Sequence, residues 1–188
     1  MHSLLPAFAE QFLTQSRDPA EIPAIRAPAP AGWLAPSATR ILSALAIGRP
    51  ACAFLAHGYA YLPVPSVNDH ALYLRMAAQS VMTPWPVDAP AVVLTVAGTV
   101  DLEVYQEPGD MQAGRPQYAR SFGTEQVFAI HPGTLCATQS SIDGVQVLAT
   151  TRALTGADEL AGDEHAAVAQ QARRVLEDLP STLRETQC

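Results

Sequence analysis

The middle of the chain alternates apolar and polar positions in a way that is typical of β-strands. Six segments have this pattern: 52–61, 73–82, 91–105, 126–130, 135–140 and 145–152. Proline- and glycine-rich turns separate them, and Asp143-Gly144 suits the positive φ angles of a type I′ hairpin. Many short strands between such turns indicate a sandwich or a barrel.

Helical spacing replaces this alternation at both ends of the chain. Leu5, Phe8 and Phe12 predict a short amphipathic helix over residues 3–16. A Pro/Ala-rich stretch with Trp33 follows and is expected to be extended. A second helix is predicted from a Ser37 cap to a stop near Gly48.

The C-terminal region predicts one long helix. Four acids between residues 158 and 164 suit its start, and Pro180 is expected to end it. Four apolar residues form a stripe at helical spacing: Val168, Ala172, Val175 and Leu179. Such a stripe either packs against the barrel or forms a dimer seam.

The length of 188 residues fits one domain, with a helical extension (1–50), a barrel (51–155) and a C-terminal helix and tail (156–188). The sequence has no run of about 20 apolar residues, so no membrane span is predicted. The N-terminus lacks the basic region of a secretory signal. Three cysteines without a CxxC motif predict a reducing, cytoplasmic setting.

The charge balance narrows the expected partners. The net charge is −7, and the 11 Lys and Arg residues are scattered, so neither a nucleic acid nor an anionic membrane is expected as a partner. Charged residues make up 15% of the chain, below the average of roughly 25%, which favours self-association as a homodimer.

Two stretches resemble the two motifs of the cupin superfamily. Residues 83–98 end in Gly98 at a tight turn, and residues 127–136 contain His-Pro-Gly before Cys136. The resemblance implies a mainly β fold, a cupin-like double-stranded β-helix barrel with N-terminal helices and a C-terminal helix.

The metal-binding positions of the cupin motifs hold other residues here. Where the family has two histidines, a glutamate and a final histidine, this chain has Trp85, Val87, Ala91 and Cys136. A first-row metal needs several converging donors, and one thiol does not provide them. We therefore expect no metal and no other cofactor.

The overall outline also resembles the dimethylsulfoniopropionate-lyase-type cupins. In these a helical, Pro-rich region precedes a strand containing Gly-Tyr-x-Tyr, which corresponds here to residues 58–61. Those lyases depend on the metal ligands that this chain lacks, so the activity is not transferred.

Four residues are candidate catalytic groups: His57, Tyr59, Tyr61 and His131. The first three alternate and are expected to share one strand face, which lines a pocket if it points inward. His131 is either a general base or a structural residue beside the Pro-Gly turn.

Six residues are candidates for binding: Tyr73, Arg75, Trp85, Val93, Thr95 and Cys136. An inward Arg75 would hold a carboxylate, whereas an outward one would be an ordinary surface residue. Cys136 is either a reactive thiol or a small buried apolar residue. The barrel interior, lined by the faces of Val93 and Thr95, is either a filled core or a small apolar pocket.

Two functions are consistent with these patterns. The first is a metal-free, cupin-like binding or accessory protein for a small, largely apolar molecule. The second is a metal-independent lyase, isomerase or cyclase that acts on a small metabolite. The second function requires the candidate acid and base groups to converge.

Overall fold

The computed structural model describes residues 7–14, 53–65, 70–154, 158–160 and 162–185. The predicted second helix, the Pro/Ala-rich stretch, Trp33, Cys52 and Cys188 lie outside these residues.

Seven antiparallel strands form the large sheet, in the order β11-β1-β2-β3-β10-β5-β8. In chain order these strands are β1 (Phe54–Ala56), β2 (Tyr59–Val64), β3 (Ala71–Ala77), β5 (Ala91–Ala97), β8 (Val127–Ile130), β10 (Val145–Thr150) and β11 (Asp158–Glu159).

Four antiparallel strands form the small sheet, in the order β4-β9-β6-β7. They are β4 (Thr83–Pro86), β6 (Val100–Tyr105), β7 (Tyr118–Phe122) and β9 (Leu135–Ser140). From β3 to β10 the chain crosses repeatedly between the two sheets, and this is the jelly-roll order in which cupin barrels are built. The predicted mainly β, cupin-like barrel is confirmed.

Among the described residues, three helices accompany the barrel: α1 (Ala7–Thr14), α2 (Pro108–Gln112) and α3 (Asp163–Glu185). The helix predicted over 3–16 is present within the described residues as α1. None of the helices in the described part of the chain has both the length and the apolar character needed to cross a membrane.

Two separate apolar cores follow from the alternation of side chains along the strands. On β5, Val93 lies in the inner core between the two sheets, and its neighbour Val92 lies in the outer core, between the large sheet and the helices. Phe12 of α1 and Ala172 of α3 contribute to the outer core.

The apolar stripe of α3 packs on the barrel. Ala172 is fully buried, and Val168 and Val175 pack against the outer core beside it. His165 accepts a hydrogen bond at Nδ1 from the Ala53 backbone N–H, at 2.9 Å, which fixes the start of the helix. Packing is therefore the observed role of the stripe for these residues.

The predicted strand 52–61 is divided by a tight hairpin. His57 and Gly58 have φ values of 49° and 76°, the positive angles of a type I′ turn, so β1 and β2 pair with each other. The expectation that His57 shares a strand face with Tyr59 and Tyr61 is wrong, because His57 lies in the turn.

The predicted hairpin at Asp143-Gly144 is also wrong. Strands β9 and β10 belong to different sheets, so this turn connects the sheets. The Gly144 N–H donates to the Ser141 carbonyl oxygen at 2.8 Å, and Gly144 has no positive φ. Asp143-Gly144 therefore lies in a turn whose two flanking strands do not pair with each other.

The observed elements also differ from the predicted ones at several prolines and acidic residues. Pro84 and Pro86 come from a proline-rich segment between two predicted strands, yet they lie in β4, an edge strand, where a missing N–H is tolerated. Asp158 and Glu159 pair with β1 instead of starting a helix. The helix α3 continues past Pro180, contrary to the expectation that it ends there.

Candidate functional site

The barrel interior contains a fully buried arginine. Arg75 lies on β3, and its guanidinium carbon is 3.7 Å from the centroid of the Tyr59 ring and 4.9 Å from that of Trp85. Both rings present a negative π face to the cation. The alternation of β3 thus places Arg75 on the inward side, one of the two orientations that the sequence left open.

Thr138 on the small sheet accepts a hydrogen bond from Arg75. Its hydroxyl oxygen on β9 accepts from Arg75 Nη2 at 3.0 Å and from the Tyr59 hydroxyl at 3.1 Å. The Arg75 Nε and Nη1 atoms have no partner among the described residues. The buried residues that the structure describes include no Asp or Glu, so none of them offsets the Arg75 charge with a carboxylate.

Tyr61 and Tyr73 extend the aromatic surroundings of Arg75. Their rings are 6.0 Å apart in an edge-to-face arrangement, and both contact Phe54. Burial raises the pKa of Tyr61, while the Arg75 charge opposes that rise. The Tyr73 hydroxyl accepts a hydrogen bond from the Leu154 backbone N–H at 3.1 Å, so Tyr73 has a structural contact.

The four positions of the missing metal ligands lie together in the inner core. Trp85 is the direct cross-strand partner of Cys136, and Val87 and Ala91 are buried in the same cluster. The only atom among these side chains that ligates a divalent metal is the Cys136 sulfur. No group of three or more His, Cys, Asp or Glu side chains is arranged to hold a metal ion in the described ranges. The residues present therefore do not fit the metal that the cupin fold implies.

Cys136 is a buried thiol. Burial raises its pKa to about 12, and the nearby Arg75 charge only partly opposes this. The sulfur lies 3.6 Å from the Trp85 carbonyl oxygen, to which the thiol donates. A nucleophilic cysteine requires a stabilised thiolate, and this environment favours the protonated form.

A pocket of about 370 Å³ lies beside these positions. Trp85, Val87 and Ala91 line it together with Thr150 and a charged rim. The rim residues include His57, Asp88 and Arg152, all of which are exposed. The barrel thus has a small pocket beside the missing ligand positions.

His57 reaches this pocket from the β1–β2 turn. Desolvation lowers its pKa, the Asp88 charge partly opposes that effect, and the Arg75 charge adds to it. The imidazole is therefore neutral over a wider pH range than an unperturbed histidine.

His131 is separated from the other candidate acid and base groups. It is buried, and its ring lies 5.0 Å from that of Phe12, which belongs to the outer core. Ile130 next to it belongs to the inner core, so His131 points to the opposite side of the strand. The structure brings Tyr59 and Tyr61 together with Arg75 and Trp85, but not His131.

The remaining binding candidates lie inward on β5. Val93 and Thr95 are fully buried, and Val93 belongs to the inner core. Sequence reasoning missed Thr138, Ser140 and Gln146, three buried polar residues of the same interior. Alternation along 145–152 places Gln146 on the Leu148 face, and this was the available signal.

No family model matches the chain, and no curated protein matches it. Solved structures show weak similarity. Hydroxypropylphosphonic acid epoxidase from S. wedmorenis is 9% identical over 55% of this chain, with a TM-score of 0.42. The match covers 56% of the epoxidase, so this chain corresponds to about half of that enzyme.

Two further structures have similar scores. KdgF from Halomonas sp. is 14% identical, with a TM-score of 0.41, over 53% of this chain and 85% of KdgF. A protein of unknown function from Vibrio parahaemolyticus is 12% identical, with a TM-score of 0.40, over 55% of this chain and 97% of its own. The fold assignment rests on the strand order of the chain itself.

Proposed function

We propose that this protein binds a small organic molecule in the barrel pocket and does so without a metal ion. One observation carries the proposal: Trp85, Val87 and Ala91, which replace three metal ligands, form the wall of the pocket. The positions that would hold a metal in a cupin therefore provide a contact surface here.

The size and lining of the pocket suit a small metabolite. Its volume of about 370 Å³ is within the range of roughly 300–1,000 Å³ that is usual for ligand sites. The indole of Trp85 and the side chains of Val87 and Ala91 offer apolar contact. Asp88, Arg152 and the neutral His57 imidazole at the rim offer hydrogen bonds to a polar group of the ligand.

Binding is favoured over metal-independent catalysis because the candidate acid and base groups do not converge. His131 lies in the outer core, and Cys136 favours its protonated form. General acid–base catalysis needs groups within hydrogen-bond reach of one reacting atom. Among the described candidates, only Tyr59 and Tyr61 lie near each other, with ring centroids 6.4 Å apart.

The test is a thermal-shift screen of small metabolites on protein treated with a chelator. Ala153→Trp would fill the pocket from an exposed rim position, whereas Ala167→Trp changes an exposed position of α3. We expect ligands that stabilise the wild type and the Ala167→Trp variant but not the Ala153→Trp variant. A ligand response that requires added metal, or one that Ala153→Trp leaves unchanged, would overturn the proposal.

A further inference from the structure

A row of polar side chains crosses the inner face of the large sheet. Gln146 on β10 is the direct cross-strand partner of Arg75 on one side and of Thr95 on the other. Tyr61 on β2 pairs with Arg75 and completes the row. All four residues are fully buried. The neighbouring row of side chains on the same face of the sheet consists of Tyr73, Leu148 and Val93. We call these four residues the polar row.

Five buried atoms of the polar row have no hydrogen-bond partner among the described residues. They are the Tyr61 hydroxyl, Arg75 Nε and Nη1, Thr95 Oγ1 and Gln146 Oε1. Buried polar atoms in folded proteins almost always have a partner. The Tyr61 hydroxyl still interacts with Arg75. The other exceptions lie on three adjacent residues and point to a missing binding partner.

The facing small sheet satisfies the other polar atoms of the row. Thr138 accepts from Arg75 Nη2, and Ser140 accepts from Gln146 Nε2 at 2.7 Å. These contacts hold the two side chains in place without using their remaining groups. The polar row is thus fixed before any ligand arrives, which reduces the entropy cost of binding.

The chemistry of the open atoms defines the ligand. Arg75 offers only donors and carries a positive charge without a carboxylate partner in the described part of the chain, so it calls for an anionic acceptor. Gln146 Oε1 only accepts, so it calls for a donor on the same ligand. The hydroxyls of Tyr61 and Thr95 can either donate a hydrogen bond to the ligand or accept one from it.

We propose that the polar row binds a small hydroxycarboxylate, with the carboxylate on Arg75 and the hydroxyl on Gln146. This inference rests on the proposed function and names its ligand class. Trp85 connects the two sites, because its ring lies 4.9 Å from the guanidinium carbon and also lines the pocket.

Titration calorimetry with glycolate and lactate tests the proposal, with glycolamide, acetate and inorganic phosphate as comparison probes. Arg75→Met removes the charge at similar length, and Arg173→Met removes an exposed charge on α3 as the matched control. We expect the hydroxycarboxylates to bind the wild type and Arg173→Met, and Arg75→Met to lose about tenfold or more in affinity. Glycolamide and acetate should bind more weakly than glycolate.

A second readout uses only the wild-type protein. In ¹H–¹⁵N spectra, the Gln146 side-chain amide and the Trp85 indole N–H should shift together when glycolate is added. Equal binding by Arg75→Met, equal binding of glycolamide, or a preference for phosphate would overturn the hydroxycarboxylate assignment. Binding of neutral apolar molecules alone would overturn it and leave the proposed function standing. Binding of nothing in either screen would overturn both.

Discussion

Arg75 is the residue that distinguishes this interior from an ordinary packed core. A buried, uncompensated guanidinium costs several kcal/mol in desolvation. Two aromatic faces and one threonine hydroxyl offset part of that cost. Alternation along β3 puts Arg75 and Tyr73 on one face, but alternation alone does not identify the inner face.

Removing this charge should not destabilise the ligand-free protein. We expect Arg75→Met to leave the free energy of unfolding unchanged or to raise it by up to about 4 kcal/mol, because an apolar side chain of similar length avoids the desolvation cost. Thr138→Val should lower it by about 1–3 kcal/mol, since it leaves Tyr59 and Arg75 without an acceptor. Urea unfolding measures both. A larger loss for Arg75→Met than for Thr138→Val would show that Arg75 is fully compensated.

The Cys136 thiol should be unreactive in the folded protein. Its pKa of about 12 leaves almost no thiolate at mildly alkaline pH, and its side chain is buried. In a Cys52→Ala, Cys188→Ala background, a thiol reagent should modify Cys136 only as fast as the protein unfolds. Rapid modification at a rate independent of denaturant would contradict this environment.

His57 should titrate below its usual pKa of 6.5. The folded protein then binds this proton less tightly than the unfolded chain, so stability falls as pH drops through 6.5 and below. Asp88→Asn should lower the pKa of His57 further, and Arg75→Met should raise it. Asp110→Asn, which alters an ion pair with Arg115, is the control. NMR titration gives the pKa of His57 in the wild type and in the three variants. A midpoint at or above 6.5 in the wild type would contradict the effect of burial.

Among the elements, the β5–β6 turn depends on one glycine. Gly98 has a φ of 73°, and a Cβ there would approach the Gly144 Cα to 2.9 Å. The turn between β5 and β6 therefore packs directly against the turn between β9 and β10. The sequence predicted a tight turn at Gly98, and the structure confirms it and supplies the close approach.

Gly98→Ala should destabilise the protein by about 2 kcal/mol or more, from the left-handed backbone cost and the contact with Gly144. Gly109→Ala is the matched control, because a Cβ there meets nothing within 4 Å. Thermal unfolding compares the two variants. Equal melting temperatures would contradict the turn packing.

Element prediction succeeded where alternation was clear and failed where turn chemistry was ambiguous. The predicted strand 135–140 coincides with β9. Pro84 and Pro86 concealed β4, since an edge strand tolerates prolines and a sequence does not show which strands are edges. Asp143-Gly144 has the composition of a hairpin, but the choice between sheets depends on long-range pairing.

At the scale of the whole molecule, the fold was more predictable than the site. Two motif frames and the strand pattern indicated a cupin-like barrel, and the jelly-roll order confirms it. The polar row was not predicted, because Gln146, Arg75 and Thr95 become neighbours only through the register of three strands. The homodimer stays a prediction, which light scattering at high concentration would contradict by showing a monomer.

The central claim is that a small organic molecule, and not a metal, is what this barrel binds. Native mass spectrometry of the protein as purified tests it most directly, because one spectrum separates bound metal from bound organic ligand. We predict the mass of the chain alone, or of the chain with a small organic acid. One iron, zinc or manganese ion per chain would contradict the account.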